Sequence, residues 1–155
     1  MVLAAVALLA LGIGTAASSP AKSKRQAVTA TAPPPAPVEP LPPPKIYLFR
    51  GAMGPIFSTG MDRLEEKLTK AGFSANVYEF TICRWIGDRA ISSYKESPAP
   101  IVLIGHSMGG LCSVVISEMA AKENIPISLV IAIDPAHATG DVPLNVERFL
   151  SLIHI

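Results

Sequence analysis

The chain has 155 residues, and its 13 Lys and Arg against 12 Asp and Glu leave a formal net charge of +1, so no charge excess recruits nucleic acid or an acidic partner. Hydrophobic residues make up 50% of it, but many of them are gathered at the N-terminus. The only two cysteines, Cys83 and Cys112, have no zinc-ligand spacing.

Residues 2–13 form an almost unbroken apolar run, shorter than the roughly 20 residues a membrane-spanning helix needs, and the small residues Thr15, Ala16, Ala17, Ser18 and Ser19 follow it. That is the layout of a secretory signal. No Lys or Arg precedes the run, so residues 1–19 are expected to be a signal peptide or an uncleaved anchor. The protein is then expected to be exported, whether periplasmic, secreted or membrane-tethered. Residues 20–44 turn to Pro, Ala, Thr and Val, with runs at 33–35 and 42–44. Proline cannot donate to a helix or sheet ladder, so this stretch is expected to be an extended, semi-rigid linker that holds the folded part off an envelope or membrane, with a Pro-rich ligand for another domain as the second use.

The folded part is expected to start at Lys45. Residues 46–49 are β-rich and run into a loop at 50–55. Residues 58–71 carry Met61, Leu64 and Leu68 on one face of an amphipathic helix that Gly72 would end. A strand at 75–80 and a weaker helix at 85–94 follow, closed by Ser97, Pro98, Ala99 and Pro100. Next come a buried strand from Ile101, a helix to about Lys122, and a continuous apolar run at 127–133 ending in Asp134 and Pro135. Strands alternating with helices give an α/β fold, a parallel sheet with helices on both faces.

The chemistry centres on Gly105-His106-Ser107-Met108-Gly109-Gly110, set between strand and helix. A serine hydroxyl is a weak nucleophile and must stand clear of the backbone where a base can reach it. A sharp strand-to-helix turn provides this, and it crowds the positions two before and two after the serine, here Gly105 and Gly109. The hexapeptide in this context resembles the nucleophile elbow of α/β-hydrolases, especially small bacterial lipases and esterases. The resemblance implies a serine ester hydrolase in which Ser107 attacks the acyl carbonyl of a small-molecule or lipid ester and passes through an acyl-enzyme. It implies no metal or cofactor.

Met108, opening the following helix, would give one oxyanion donor. Small lipases supply the second from a His-Gly-x loop after the first strand. Arg50, Gly51 and Ala52 match it here, with Arg for His, and Ala52 is the expected donor. Asp134, in Asp-Pro-Ala, is similar to the acid-bearing segment of pancreatic-type lipases, which makes it the expected triad acid, with Asp141 as a rival. Only His137 and His154 follow Ser107. His137 is too near Asp134 to reach both the acid and the serine, and His106 is expected to pack facing away from its neighbour.

Residues 150–155, Leu-Ser-Leu-Ile-His-Ile, resemble the translation of a transposon end used as a sequencing adaptor, so Phe149 is the last expected native residue. With four strands expected in 45–149, the resemblance implies a partial α/β-hydrolase domain whose C-terminal strands and catalytic histidine are not present, a fragment expected to be inactive alone. The same elbow also serves thioesterases and acyltransferases, and a non-catalytic envelope-tethered binding module is the alternative of another class. Cys83 and Cys112 could pair in an exported protein, but Cys112 falls one turn into the elbow helix, where a small residue serves packing. Two buried thiols are expected.

Overall fold

The computed structural model describes residues 40–136 and 140–153. The apolar leader, nearly all of the Pro-rich linker, His137 and His154 lie outside the described residues. Strand β1 (Lys45–Arg50) leads into a short helix α1 (Gly54–Phe57) and helix α2 (Thr59–Lys70), followed by β2 (Ser74–Glu79). A 3-10 turn at Phe80–Ile82 then runs into α3 (Cys83–Glu96), β3 (Ile101–His106), α4 (Met108–Lys122), β4 (Leu129–Ile133) and β5 (Phe149–Leu152). The strands form one all-parallel sheet in the order β2-β1-β3-β4-β5. The fold is α/β.

Strand alternation decides which residue faces which layer. On one face Ile46, Leu48 and Ile104 pack with Met61, and with the flanking Leu64 and Leu68 of α2. On the other, Phe49, Ile101, Leu103 and Val130 meet Ile86 and Ile91 of α3 and Cys112, Ile116 and Ala120 of α4. So α2 covers one face and α3 with α4 the other, as right-handed crossovers require when the chain first moves outward to β2 and then returns past β1. Successive strands part company between β1 and β3. In such sheets the ligand crevice opens at the carboxyl ends of the two strands where this reversal occurs.

Helix ends follow local chemistry. Gly72 takes the left-handed φ of 89° after α2, and Phe73 N–H returns to Leu68 O at 3.0 Å. Asn124 does the same after α4 with φ 55°, and Ile125 N–H reaches Ala120 O at 2.9 Å. Helix α4 is buried along most of its length, and its buried hydroxyls are satisfied one turn back, Ser113 Oγ to Gly109 O at 3.2 Å and Ser117 Oγ to Ser113 O at 2.8 Å.

Three expectations change. The loop at 50–55 is not wholly irregular: Met53 enters the left-handed region at φ 54° and α1 starts at Gly54, with Pro55 in its first turn. Cys83 and Cys112 are joined in a disulfide, their Cα atoms 5.6 Å apart, rather than being two thiols. Packing of α3 on α4 brings the start of one against the first turns of the other, a proximity invisible to residue spacing. Finally, a fifth strand joins β4, with Phe149 opposite Val130 and Leu152 opposite Ile133. Residues 150–152 belong to the stretch read as non-native. Pairing uses backbone groups at an open sheet edge, so the strand forms whatever the origin of its residues, and Leu150 and Leu152 remain half exposed.

Candidate active site

Ser107 sits between β3 and α4 with φ 52° and ψ −118°. A non-glycine residue is strained there, and such strain persists only where surrounding contacts over-determine it. Those contacts can be named. Ser107 N–H donates to Ile133 O at 2.9 Å, and Ser107 O accepts from Gly110 N–H at 2.9 Å and from Ala136 N–H at 3.3 Å. The neighbouring glycines are steric necessities. A Cβ on Gly105 would lie 2.0 Å from Gly109 O, and one on Gly109 would lie 2.2 Å from Phe49 O. The expected crowding two residues either side of the serine is present.

Met108 is the first residue of α4, so its N–H has no acceptor within the helix, and the helix dipole favours negative charge beside it. The β1 exit lies against the same serine: a Cβ on Gly51 would come within 2.8 Å of Ser107 Cβ and 3.3 Å of Ser107 Oγ. Ala52, one peptide further on, is exposed. The β4 exit closes in from the other side, with Pro135 against Gly110 and Ala136 on Ser107 O. All three predicted loops therefore meet at the carboxyl edge.

Asp134 is half-buried just past β4, in the left-handed region at φ 42°, and its N–H donates to Leu152 O at 2.7 Å. Asp141 is exposed. His137 and His154 fall outside the described residues.

Three side chains matter in ways the sequence did not signal. Arg50, where the resembling lipases carry His, donates from Nε to Asp62 Oδ2 at 3.2 Å and from Nη1 to Glu79 Oε1 at 2.7 Å, with Nη2 on Asp62 Oδ1. It clamps the β1 exit to α2 and to the end of β2. The hydrogen bonds from Arg50 hold the Asp62 carboxyl below its ordinary value, and Asp62 in turn raises that of Arg50. Ser58, 3% exposed, accepts from Gly51 N–H at 3.1 Å and lies 2.8 Å from His106 Nδ1. His106 thus does more than pack beside the serine.

Met53, Ile56 and Phe57, on and beside α1, are 61%, 67% and 66% exposed, so they are not core residues. A recess of about 140 Å³ opens beside Met108, lined by Phe80, Cys83, Arg84, Leu111, Cys112 and Val115. A larger recess of about 260 Å³, lined by Lys45, Tyr47, Ser74, Asn76 and Arg89 among others, includes the residues that open β1 and β2 and none of the elbow residues. Size is a poor guide here, because the amide donors and the hydroxyl lie at the opposite edge.

Chemically, the arrangement presents a hydroxyl on a strained corner with backbone amides beside it. It can direct an oxygen nucleophile at an acyl carbon and hold the developing oxyanion. No protein-family model matches the chain, and no curated protein or solved structure is significantly similar to it.

Proposed function

We propose that the chain carries the nucleophile half of an exported serine ester hydrolase, esterase- or lipase-like. One observation carries the reading: Ser107 is held at a strained φ of 52° at the head of α4, so close to Gly51 that a Cβ there would lie 2.8 Å from Ser107 Cβ and 3.3 Å from its Oγ. Strain of this kind, at the switch point of a parallel sheet, exposes a hydroxyl for attack. Ser107 adds to the ester carbonyl, and the N–H groups of Met108 and Ala52 take the oxyanion. Expulsion of the alcohol leaves an acyl-enzyme, which water then releases as the acid. Each donor contributes on the order of 3 kcal/mol to the transition state.

Asp134 is proposed to orient the imidazole that serves as base. By the resemblance that histidine follows the acid in chain order, and a chain that lacks it is expected to be inactive. The apolar recess beside Met108 and the exposed Met53, Ile56 and Phe57 favour an apolar acyl group over a small polar one. Export is supported by the Cys83–Cys112 disulfide, since such bonds persist in oxidising compartments. Among the described residues no helix is long and apolar enough to cross a membrane.

The test is labelling by a fluorophosphonate of protein expressed from the whole genomic reading frame, read through residue 149 without adaptor-based library preparation. Labelling that disappears in Ser107→Ala supports the hydrolase. Folded protein that takes no label favours the tethered binding module, and acyl transfer to an added thiol or alcohol in preference to water favours the acyltransferase.

A further inference from the structure

We infer that Ser58 and His106 are positioning residues for the oxyanion loop: together they hold the Gly51 amide, and through it the Ala52 N–H, against Ser107. The inference rests on the hydrolase reading above and adds to it the device that sets the second donor.

The argument starts from a backbone group with nowhere to go. Pairing of β1 ends with Arg50 opposite Glu79 on one side and Phe49 opposite Gly105 on the other. Gly51 therefore lies beyond the last paired residue of β1 on both sides, and it is buried. A buried N–H without a partner is costly. Ser58 Oγ meets it at 3.1 Å.

Ser58 gives up something to do so. It occupies the N-cap of α2, where a serine hydroxyl normally accepts from the helix's own first-turn amides, yet its side chain makes no capping bond. The hydroxyl turns away from α2 toward the loop. Its backbone is meanwhile held from both sides, with Ser58 N–H on Gly54 O at 2.9 Å and Met61 N–H on Ser58 O at 2.9 Å. A residue so fixed makes a rigid post for Gly51.

His106 locks the post. Along β3, Ile104 belongs to the α2 face, and alternation puts His106 on that same face, where its Nδ1 lies 2.8 Å from Ser58 Oγ. Whether the ring accepts the hydroxyl proton or donates into the second lone pair, Oγ is fixed and one lone pair stays directed at Gly51. Because His106 is bonded directly to Ser107, the nucleophile and the loop that supplies its oxyanion donor are referenced to one hydroxyl. A displacement of a donor by about 1 Å is enough to cost a large part of its effect.

The experiment uses the full-frame protein with Ser58→Ala, Ser58→Thr, His106→Phe and His106→Asn, measuring the maximal rate of fluorophosphonate labelling, the half-saturating probe concentration, thermal midpoint, and amide exchange at Gly51. Positioning predicts that Ser58→Ala and His106→Phe lower the maximal rate by about ten- to a hundredfold while half-saturation moves less than about threefold. Gly51 exchange should rise at least about tenfold in both. Ser58→Thr and His106→Asn, which keep a hydroxyl or a polar atom near Nδ1, should recover most of the rate. A folded Ser58→Ala or His106→Phe that labels at the wild-type rate overturns the inference, even if its thermal midpoint has fallen. So does a wild-type Gly51 amide that exchanges as fast as that of a solvent-exposed loop. If wild-type protein takes no label at all, the hydrolase reading fails instead, and the exchange data then decide whether the tether exists without a catalytic purpose.

Discussion

The exits of β1 and β3 and the exit of β4 approach Ser107 from opposite sides, and they are built differently. On the first side, Arg50 reaches two carboxylates, Gly51 is held by Ser58, Ser58 meets His106, and a Cβ on Gly105 or Gly109 would collide with backbone. On the second, Asp134 and Ala136 are each placed by a backbone hydrogen bond, to Leu152 O and Ser107 O, and a long connection then leads to an edge strand with half-exposed leucines. Place in the sheet does not explain the contrast, since β1 and β4 each pair with the central β3 on one side and one outer strand on the other. The difference lies in what reaches the exits: side chains at the head of α2 and the end of β2 bond to the β1 exit through Ser58, Asp62 and Glu79. The proposed oxyanion loop is therefore set by residues 45–110 among themselves, whereas Ser107 is also held from the β4 side by Ile133 O and Ala136 N–H. Asp134, the proposed acid, has its backbone tied to β5 through Leu152 O.

The largest effect that would break this comparison comes from glycines. Gly105→Ala has no room, with Gly109 O 2.0 Å from the new Cβ, and should cost more than about 4 kcal/mol in chemical denaturation, or yield no folded protein. Gly140→Ala, past β4, meets only Glu118 Oε1 at 3.6 Å among the described residues and should change stability by less than about 0.5 kcal/mol. Similar losses at both would mean the two sides are equally rigid.

Reduction of Cys83–Cys112, or the paired Cys83→Ser and Cys112→Ser change, opens a loop of sequence separation 29 and should lower stability by about 3 kcal/mol. Because the bond anchors the first turns of α4, exchange should rise around the elbow before it rises in β5. A smaller step is Ser107→Gly, which relieves the strain at φ 52° and should raise stability by about 1 kcal/mol while abolishing labelling. A serine site that gains nothing from glycine is not strained, and the main support for the nucleophile reading goes with it.

The smallest effect concerns the Arg50 clamp. Hydrogen bonds from Arg50, helped by its charge, lower the Asp62 pKa in the fold. A lowered folded value means that the carboxylate stabilises the protein above its unfolded pKa of about 4 and loses that contribution as the pH falls through the lower folded value. Asp62→Asn should therefore lower the thermal midpoint slightly at neutrality and flatten its dependence on pH below about 4, where variant and wild type converge. With Asp62 40% exposed, solvent screening keeps the loss below about 1 kcal/mol at pH 7. An unaltered acid limb would show that the clamp is not what holds the β1 exit.

Much of this molecule was legible in the order of its residues. Four of the strands, α2, α3, α4 and the parallel α/β arrangement were readable because burial on both sides of a sheet leaves continuous apolar runs, and because Gly72 marks where α2 must stop. The elbow was legible for a local reason: crowding around Ser107 is a matter of residues two positions away, so Gly105 and Gly109 announce it. What the tertiary structure alone decided are contacts between residues far apart in the chain. Arg50 with Asp62 and Glu79, Ser58 with His106, and Cys83 with Cys112 span 12 to 48 positions and follow no period. Exposure of Met53, Ile56 and Phe57 belongs with them, because an apolar side chain becomes core or surface only when another element arrives to cover it. Local sterics can be read along a chain, whereas partnership depends on which elements the sheet order brings together.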